Sequence, residues 1–290
     1  MLGVDMSGKI CVVTGANSGL GLVTARELMR MGADVLMVAR RREAGEAALA
    51  EVRASSPRGS AELLLADFAS LDQVRALAAA IRANRPRVDV LVNNAGLMLT
   101  ERERTRDGYE AVFAVNHLAP FLLTNLLLDS LCAAGRARVV TVASRAHSRA
   151  KLDFDDLQGE RHWNGWRAYC ASKLCNVLFN LELARRLEGK GVTANALHPG
   201  VIATGFGREN TGAWKWMLRV ARVAMSSPEK GAATQIYLAA SPDVEGVSGK
   251  YFVDCRPAKA SAAGTDVASA RRLWEISEGM TGLASATGSA

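Results

Sequence analysis

Seven short, uninterrupted apolar runs, each set off from the next by a stretch with helical spacing, leave this chain few folds to choose from. They are "KICVVT" at 9–14, "DVLMVA" at 34–39, "AELLLA" at 61–66, "VDVLVN" at 88–93, "ARVVTVA" at 137–143, "VTANAL" at 192–197 and "GKYFVD" at 249–254. A strand that is apolar on both faces must be covered on both, which is the condition of a parallel sheet sandwiched between helices. The intervening segments supply the covers. "LGLVTARELMRMG" has apolar residues at helical spacing and stops at Gly32, "SLDQVRALAAAIRAN" opens on a serine that can cap a helix, and "DGYEAVFAVNHLAPFLLTNLLLDSL" is long enough for two packed helical segments. Unbroken β-α alternation through residue 197 predicts one domain over residues 1–290: α/β, a Rossmann-type doubly wound parallel sheet of seven strands with helices on both faces. The chain ends on "GLASATGSA", small and polar enough that a frayed tail is expected over 280–290.

Bulk properties narrow the class. The formal charge is +7, but the arginines that dominate it are dispersed and the longest basic run is Arg40-Arg41-Arg42, so no nucleic-acid partner is expected. The five cysteines are odd in number and form no C-x-x-C pair, and no basic-then-apolar leader opens the chain; a reduced, cytoplasmic location is the expectation. The longest apolar stretch, "AVFAVNHLAPFLLTNLLL", is interrupted by Asn116, His117, Pro120 and Asn125, which suits a buried helix rather than a membrane span. His117, His147, His162 and His198 show no metal-like spacing with cysteines or carboxylates, so no metal site is expected.

The chemistry begins after the first strand. "VVTGANSGLGLVTA" places Gly15, Gly19 and Gly21 as T-G-x-x-x-G-x-G between a strand and a helix, where a diphosphate can lie against bare backbone and the positive end of the helix. At the end of the second strand, where an acidic residue would take the ribose hydroxyls of NAD, "VARRRE" offers Arg40 and Arg41, which suit a 2′-phosphate and favour NADP(H). "ADFAS" follows the third strand with a carboxylate, Asp67, that can accept from an adenine amino group, and "NNAG" follows the fourth, Asn93 to Gly96. In "RAYCASKLC", Tyr169 and Lys173 are one helical turn apart, and a cation beside a phenol lowers its pKa and makes it a usable acid and base.

These motifs, with a serine after the fifth strand and "HPG" after the sixth, resemble the short-chain dehydrogenase/reductase family over about residues 8–255. "VASRAH", "FDDLQGE", the long "YCASKLCNVLFNLELARRLEGKGVTANALHPG" and the 25-residue step from Ser144 to Tyr169 are similar to its retinol dehydrogenase branch. The resemblance implies a catalytic tetrad of Asn116, Ser144, Tyr169 and Lys173: Ser144 donating to a substrate oxygen, Tyr169 giving or taking its proton, Lys173 holding the nicotinamide ribose and lowering the Tyr169 pKa, and Asn116 positioning a relay water. It also implies cofactor contacts at Gly15, Asn17, Ser18, Gly19, Leu20, Gly21, Arg40, Arg41, Asp67, Phe68, Asn94, Ala95, Gly96, Tyr169, Lys173, Pro199, Gly200, Val201, Ile202 and Thr204.

Together they give an NADP(H)-dependent oxidoreductase acting on the carbonyl or alcohol of a mostly apolar or aromatic small molecule, possible as a homo-oligomer. Trp214, Met217, Leu218 and Ala221 recur at helical spacing, and a substrate lid is expected over 205–225. Two rivals share parts of the pattern. A catalytically silent NADP-binding sensor or scaffold would not need the tetrad; a nucleotide-sugar epimerase shares Y-x-x-x-K but usually has two residues between its first glycines, where this chain has three. Asp153, Asp155, Asp156 and Glu160 read as a solvated acidic loop without a catalytic part.

Overall fold

The computed structural model describes residues 4–200 and 227–283. Strands β1 (Ile10–Thr14), β2 (Asp34–Ala39), β3 (Ser60–Leu65), β4 (Val90–Asn93), β5 (Ala137–Val142), β6 (Val192–His198) and β7 (Tyr251–Val253) are all parallel. An eighth, β8 (Arg256–Ala258), pairs antiparallel with β7, so the order across the sheet is β3-β2-β1-β4-β5-β6-β7-β8.

The eighth strand corrects the expected seven. It is three exposed residues around a proline, a composition that signals a loop, and it pairs only because Asp254 (φ 50°) and Cys255 (φ 60°) both take the left-handed conformation and fold the chain back on β7. Two consecutive left-handed residues make the turn whose twist matches a hairpin, and a proline is tolerated in a strand only at a sheet edge.

Helices cover both faces. α1 (Gly19–Arg30) and α2 (Arg42–Ala54) lie on one side with α8 (Pro228–Ala240); α3 (Leu71–Asn84), α5 (Ala119–Leu126), α7 (Gly165–Arg186) and α9 (Val267–Thr281) lie on the other. The continuous apolar runs divide by strand pleat. Cys11 and Val13 of β1 enter one core with Leu28 and Met37, and Val12 enters the opposite core with Leu91, Val139 and Leu178.

The expected helix pair after β4 is finer-grained than its pattern. It opens with α4 (Ala111–Phe113), widens into a π-turn over Ala114–Leu118, continues as α5 and ends in a short α6 (Leu128–Ala133). Of the tail expected over 280–290, residues 280–283 are built into the fold instead. α9 runs through Thr281, the Tyr109 hydroxyl donates to the Met280 carbonyl (2.6 Å), and Arg75 donates to the Thr281 carbonyl. Among the described residues, no helix is long and apolar enough to cross a membrane.

Candidate active site

The chain turns back on itself between β1 and β4, its neighbour in the sheet, and an open α/β sheet leaves a crevice at such a switch point, outside the carboxyl ends of its strands. The glycine turn forms one wall. Gly15 is left-handed (φ 64°), and a Cβ on Gly21 would stand 2.3 Å from the Gly15 carbonyl oxygen, so α1 can approach the turn this closely only through a glycine.

Thr14 and Asn94 staple the turn to the end of β4. The Thr14 hydroxyl donates to the Val92 carbonyl (3.2 Å) and accepts the N–H groups of Asn94 and Ala95 (2.9 Å each), while the Asn94 amide donates to the Thr14 carbonyl (2.7 Å). Ser18 precedes α1 without a side-chain hydrogen bond to it, and no acidic side chain stands in the first turn. An anionic dinucleotide fits such an end, because the first-turn N–H groups and the helix dipole both favour negative charge.

The other expected contact residues ring the same edge, with differences of detail. Arg40 and Arg41 are exposed beyond β2, Arg41 as the extended residue that precedes α2. Asp67 is half-buried after β3, its carboxylate accepting from the Ala69 N–H (3.0 Å) and its N–H held by Gln73 (2.9 Å). The side chains of Phe68 and Leu20 pack into the protein. The Phe68 ring is buried with Leu71 and Val74, and Leu20 packs toward Val23, Ala232 and Ile236, which leaves their backbones for any cofactor contact. Asn17, Gly19, Ala95 and Gly96 flank the crevice, and Pro199 and Gly200 (φ 87°) follow β6. Val201, Ile202, Thr204 and the lid expected over 205–225 lie outside the described residues.

The tetrad is drawn together from three places in the fold: the π-turn, the end of β5 and α7. Asn116 sits in the π-turn, fully buried, its amide oxygen taking the Leu97 N–H (2.7 Å) and its amide nitrogen donating to the Leu97 carbonyl and the Ser172 hydroxyl (2.9 Å each). Through these bonds the side chain clamps the loop after β4 to α7. A Cβ on Gly96 would come within 3.2 Å of Asn116 Oδ1 and 3.4 Å of Lys173 Nζ, which fixes how closely the three converge. Ser144 follows β5, caps the next helical turn through the Ala146 N–H (3.2 Å), and has its carbonyl held by His147 Nδ1 (2.6 Å). Because His147 Nε2 accepts the Ser261 N–H (3.0 Å), the proton on Nδ1 is the one facing Ser144.

The electrostatics depart from expectation. Burial pushes the Tyr169 phenol up to about 12, against a smaller opposing pull from its hydrogen bond with Ser144. Lys173, also buried, is pushed down to about 8. Its ammonium donates to the Val142 carbonyl (2.9 Å) and stands 5.7 Å from the centre of the Tyr169 ring. Desolvation therefore dominates the phenol, and the pull that opposes it comes from the Ser144 hydroxyl rather than from the cation.

The family profile of the short chain dehydrogenases matches residues 9–214. This chain belongs to that family. Mouse retinol dehydrogenase 14 is 43% identical over 299 residues, covering 96% of this chain and 87% of its own. Human retinol dehydrogenase 11 is 39% identical over 280 residues, covering 97% and 88%. Among solved structures, an uncharacterized protein from Mycobacterium Paratuberculosis superposes with a TM-score of 0.78 at 34% identity over 96% of this chain and 95% of its own. The Pseudomonas aeruginosa RhlG/NADP active-site complex does so with 0.69 at 27% over 86% and 95%. The chain is accordingly an oxidoreductase of the short-chain type, a family that works with a nicotinamide cofactor.

Motif reading passed over several residues that build this site. Thr14 lies inside the quoted glycine motif, but its role as a staple needs β4 beside it. Ser172, between Tyr169 and Lys173, links Asn116 to the Tyr169 carbonyl (2.9 and 2.8 Å). Glu110 is buried, burial raising its pKa, and it caps α4 through the Val112 and Phe113 N–H groups (3.0 and 2.7 Å) while accepting from the Trp163 indole (3.2 Å). Trp166 is 46% exposed and stacks beside the Tyr169 ring, centroids 5.9 Å apart. The acidic loop is consumed in surface ion pairs, Asp153 with Arg161, Asp155 with Arg272 and Glu160 with Arg104.

Proposed function

We propose that this chain is an NADP(H)-dependent reductase, or the reverse dehydrogenase, for a carbonyl or the matching primary or secondary alcohol on a mostly apolar or aromatic small molecule. The observation that carries the reading is the meeting of Ser144, Tyr169 and Lys173 beside Gly96, at the same sheet edge as the glycine turn. The bound nicotinamide supplies or accepts a hydride; the remaining work belongs to the chain. Gly15, Ser18, Gly19 and Gly21 offer backbone to the diphosphate, and Arg40 and Arg41 favour a 2′-phosphate over a bare ribose.

Ser144 and Tyr169 donate to the substrate oxygen, where negative charge grows in the reductive direction. With its pKa near 12 the phenol keeps its proton at neutral pH, the form a proton donor requires. In the oxidative direction the same group must first lose that proton. Lys173 binds the nicotinamide ribose and returns the proton to Tyr169, and Asn116 holds the loop that carries Gly96 against it.

The half-exposed Trp166 ring beside Tyr169 supports an apolar or aromatic substrate, since a flat ring gains contact with a flat partner at low entropic cost. Five free cysteines fit a reducing compartment, and we assign the chain to the cytoplasm. The deciding assay follows NADPH absorbance with a panel of aromatic, long-chain and polyol carbonyls. Oxidation is expected with the first two groups; a protein that binds NADPH tightly yet consumes it with none of them is a sensor, and the proposal fails.

A further inference from the structure

Behind the catalytic lysine, a row of buried polar groups runs to the last helix. The Val142 carbonyl accepts from Lys173 Nζ (2.9 Å) and from Asn176 Nδ2 (3.3 Å), two residues three apart on α7. His117, next to Asn116 in the π-turn, is enclosed by the rings of Phe113, Phe121 and Phe179, and its Nε2 lies 2.8 Å from Ser277 Oγ on α9. Asn176 is the polar side chain that bears on the rest of the imidazole. Yet His117 Nδ1 and Asn176 Oδ1 are both buried without a hydrogen bond of normal geometry, while the Ser277 hydroxyl donates to the Leu273 carbonyl (2.7 Å).

Burial pushes His117 down to about 3, so the ring carries one proton at neutral pH, and its position decides how the row is satisfied. On Nε2 it would serve Ser277 and leave Nδ1 and Asn176 Oδ1 as two unpaired acceptors in the core, each desolvated without compensation. On Nδ1 it donates to Asn176 Oδ1, and the Ser277 hydroxyl turns to donate to Nε2. That turn costs little, because the Leu273 carbonyl it leaves lies inside α9, where the helix ladder supplies an N–H.

We propose that His117 is the Nδ1–H tautomer and that, with Asn176, it is a positioning residue for Lys173. The imidazole N–H holds the Asn176 amide with its NH2 toward Val142, so the shared carbonyl remains the acceptor for the lysine. Without that donor the amide can turn over and present its oxygen on the lysine side, drawing the ammonium back from the cofactor edge. The role of Lys173 rests on the proposed function above; the tautomer does not.

The test has two arms. In protein labelled with 15N-histidine, long-range proton–nitrogen correlation should show His117 protonated at Nδ1 and bare at Nε2, its signals identified among four histidines by their loss in a His117 variant. Protonation at Nε2 overturns the proposal whether or not the protein is active. In the second arm, H117N keeps an N–H at the Nδ1 position, whereas H117Q moves the amide out toward Nε2. Per folded molecule, H117N should hold kcat within about twofold of the parent, while H117Q loses about tenfold and binds NADPH more weakly. Equal kcat in the two variants overturns the positioning role, because loss of packing alone has no reason to separate them. A protein inactive with every carbonyl defeats the functional reading and leaves the tautomer to the first arm.

Discussion

The glycine turn after β1 and the tyrosine–lysine pair on α7 stand at the same edge of the sheet and are made by opposite means. The turn works by omission: Gly21 keeps α1 within reach of the Gly15 carbonyl, Ser18 leaves the helix end without a side-chain cap, and what remains is backbone N–H and dipole. The pair works by burial. Desolvation alone pushes Lys173 down to about 8, and it outweighs the Ser144 hydrogen bond at Tyr169. Adding any side chain damages the first, whereas the second is damaged by removing the particular polar atom that the fold has bought at the cost of hydration.

The difference sets out how each half should fail. Tyr169→Phe keeps the ring and its contact with Trp166 but deletes the proton; turnover should fall by about 100-fold or more with NADPH affinity nearly intact, read from steady-state kinetics and cofactor titration. An active phenylalanine variant would end the acid/base assignment. Gly21→Ala does the reverse. Its Cβ would sit 2.3 Å from a backbone oxygen, so the turn must open, and NADPH affinity should drop by about 30-fold while the pH dependence of the residual rate is unchanged. Retained affinity would show that the turn is not the diphosphate seat.

Two smaller effects sharpen the contrast. Arg40→Asp puts a carboxylate at the end of β2 and should shift the ratio of NADPH to NADH affinity by about tenfold toward NADH, with unchanged turnover at saturation. An unaltered ratio would remove Arg40 from cofactor choice. Lys173→Met should abolish turnover yet stabilise the fold at pH 7 by about 1 kcal/mol, the residue of a burial penalty of about 3 less the lost hydrogen bond to Val142. The sign follows from the folded pKa near 8 against an ordinary 10.5: the ammonium is penalised below pH 8, and that penalty fades as pH rises from 8 to 10.5. Thermal melts should therefore show the parent gaining stability across that window relative to the methionine variant; parallel profiles would mean the lysine is not held in a desolvating site.

The sequence by itself determined the strand order's raw material, the glycine turn and the spacing of Tyr169 and Lys173, because each is a local pattern: a run apolar on both pleats, a spacing of small residues, two side chains one helical turn apart; Asn116 and Ser144 are named only by the family resemblance. The sequence also determined that β2 ends in Arg40 and Arg41 rather than an acid. The tertiary structure decided the rest. β8 exists through a left-handed Asp254-Cys255 turn whose cysteine has no preference for that conformation, and Tyr109 and Arg75 bind the end of α9 that composition alone gives to the tail. Thr14 becomes a staple only when β4 lies beside β1, Asn116 joins Leu97 to Ser172 only when the π-turn meets α7, and His117 acquires its meaning from Ser277, distant in sequence and adjacent in space. The physical reason is that hydrogen-bond saturation and desolvation depend on every group that packs around an atom, and those neighbours are set by the fold, whereas periodicity and spacing are carried by the chain alone.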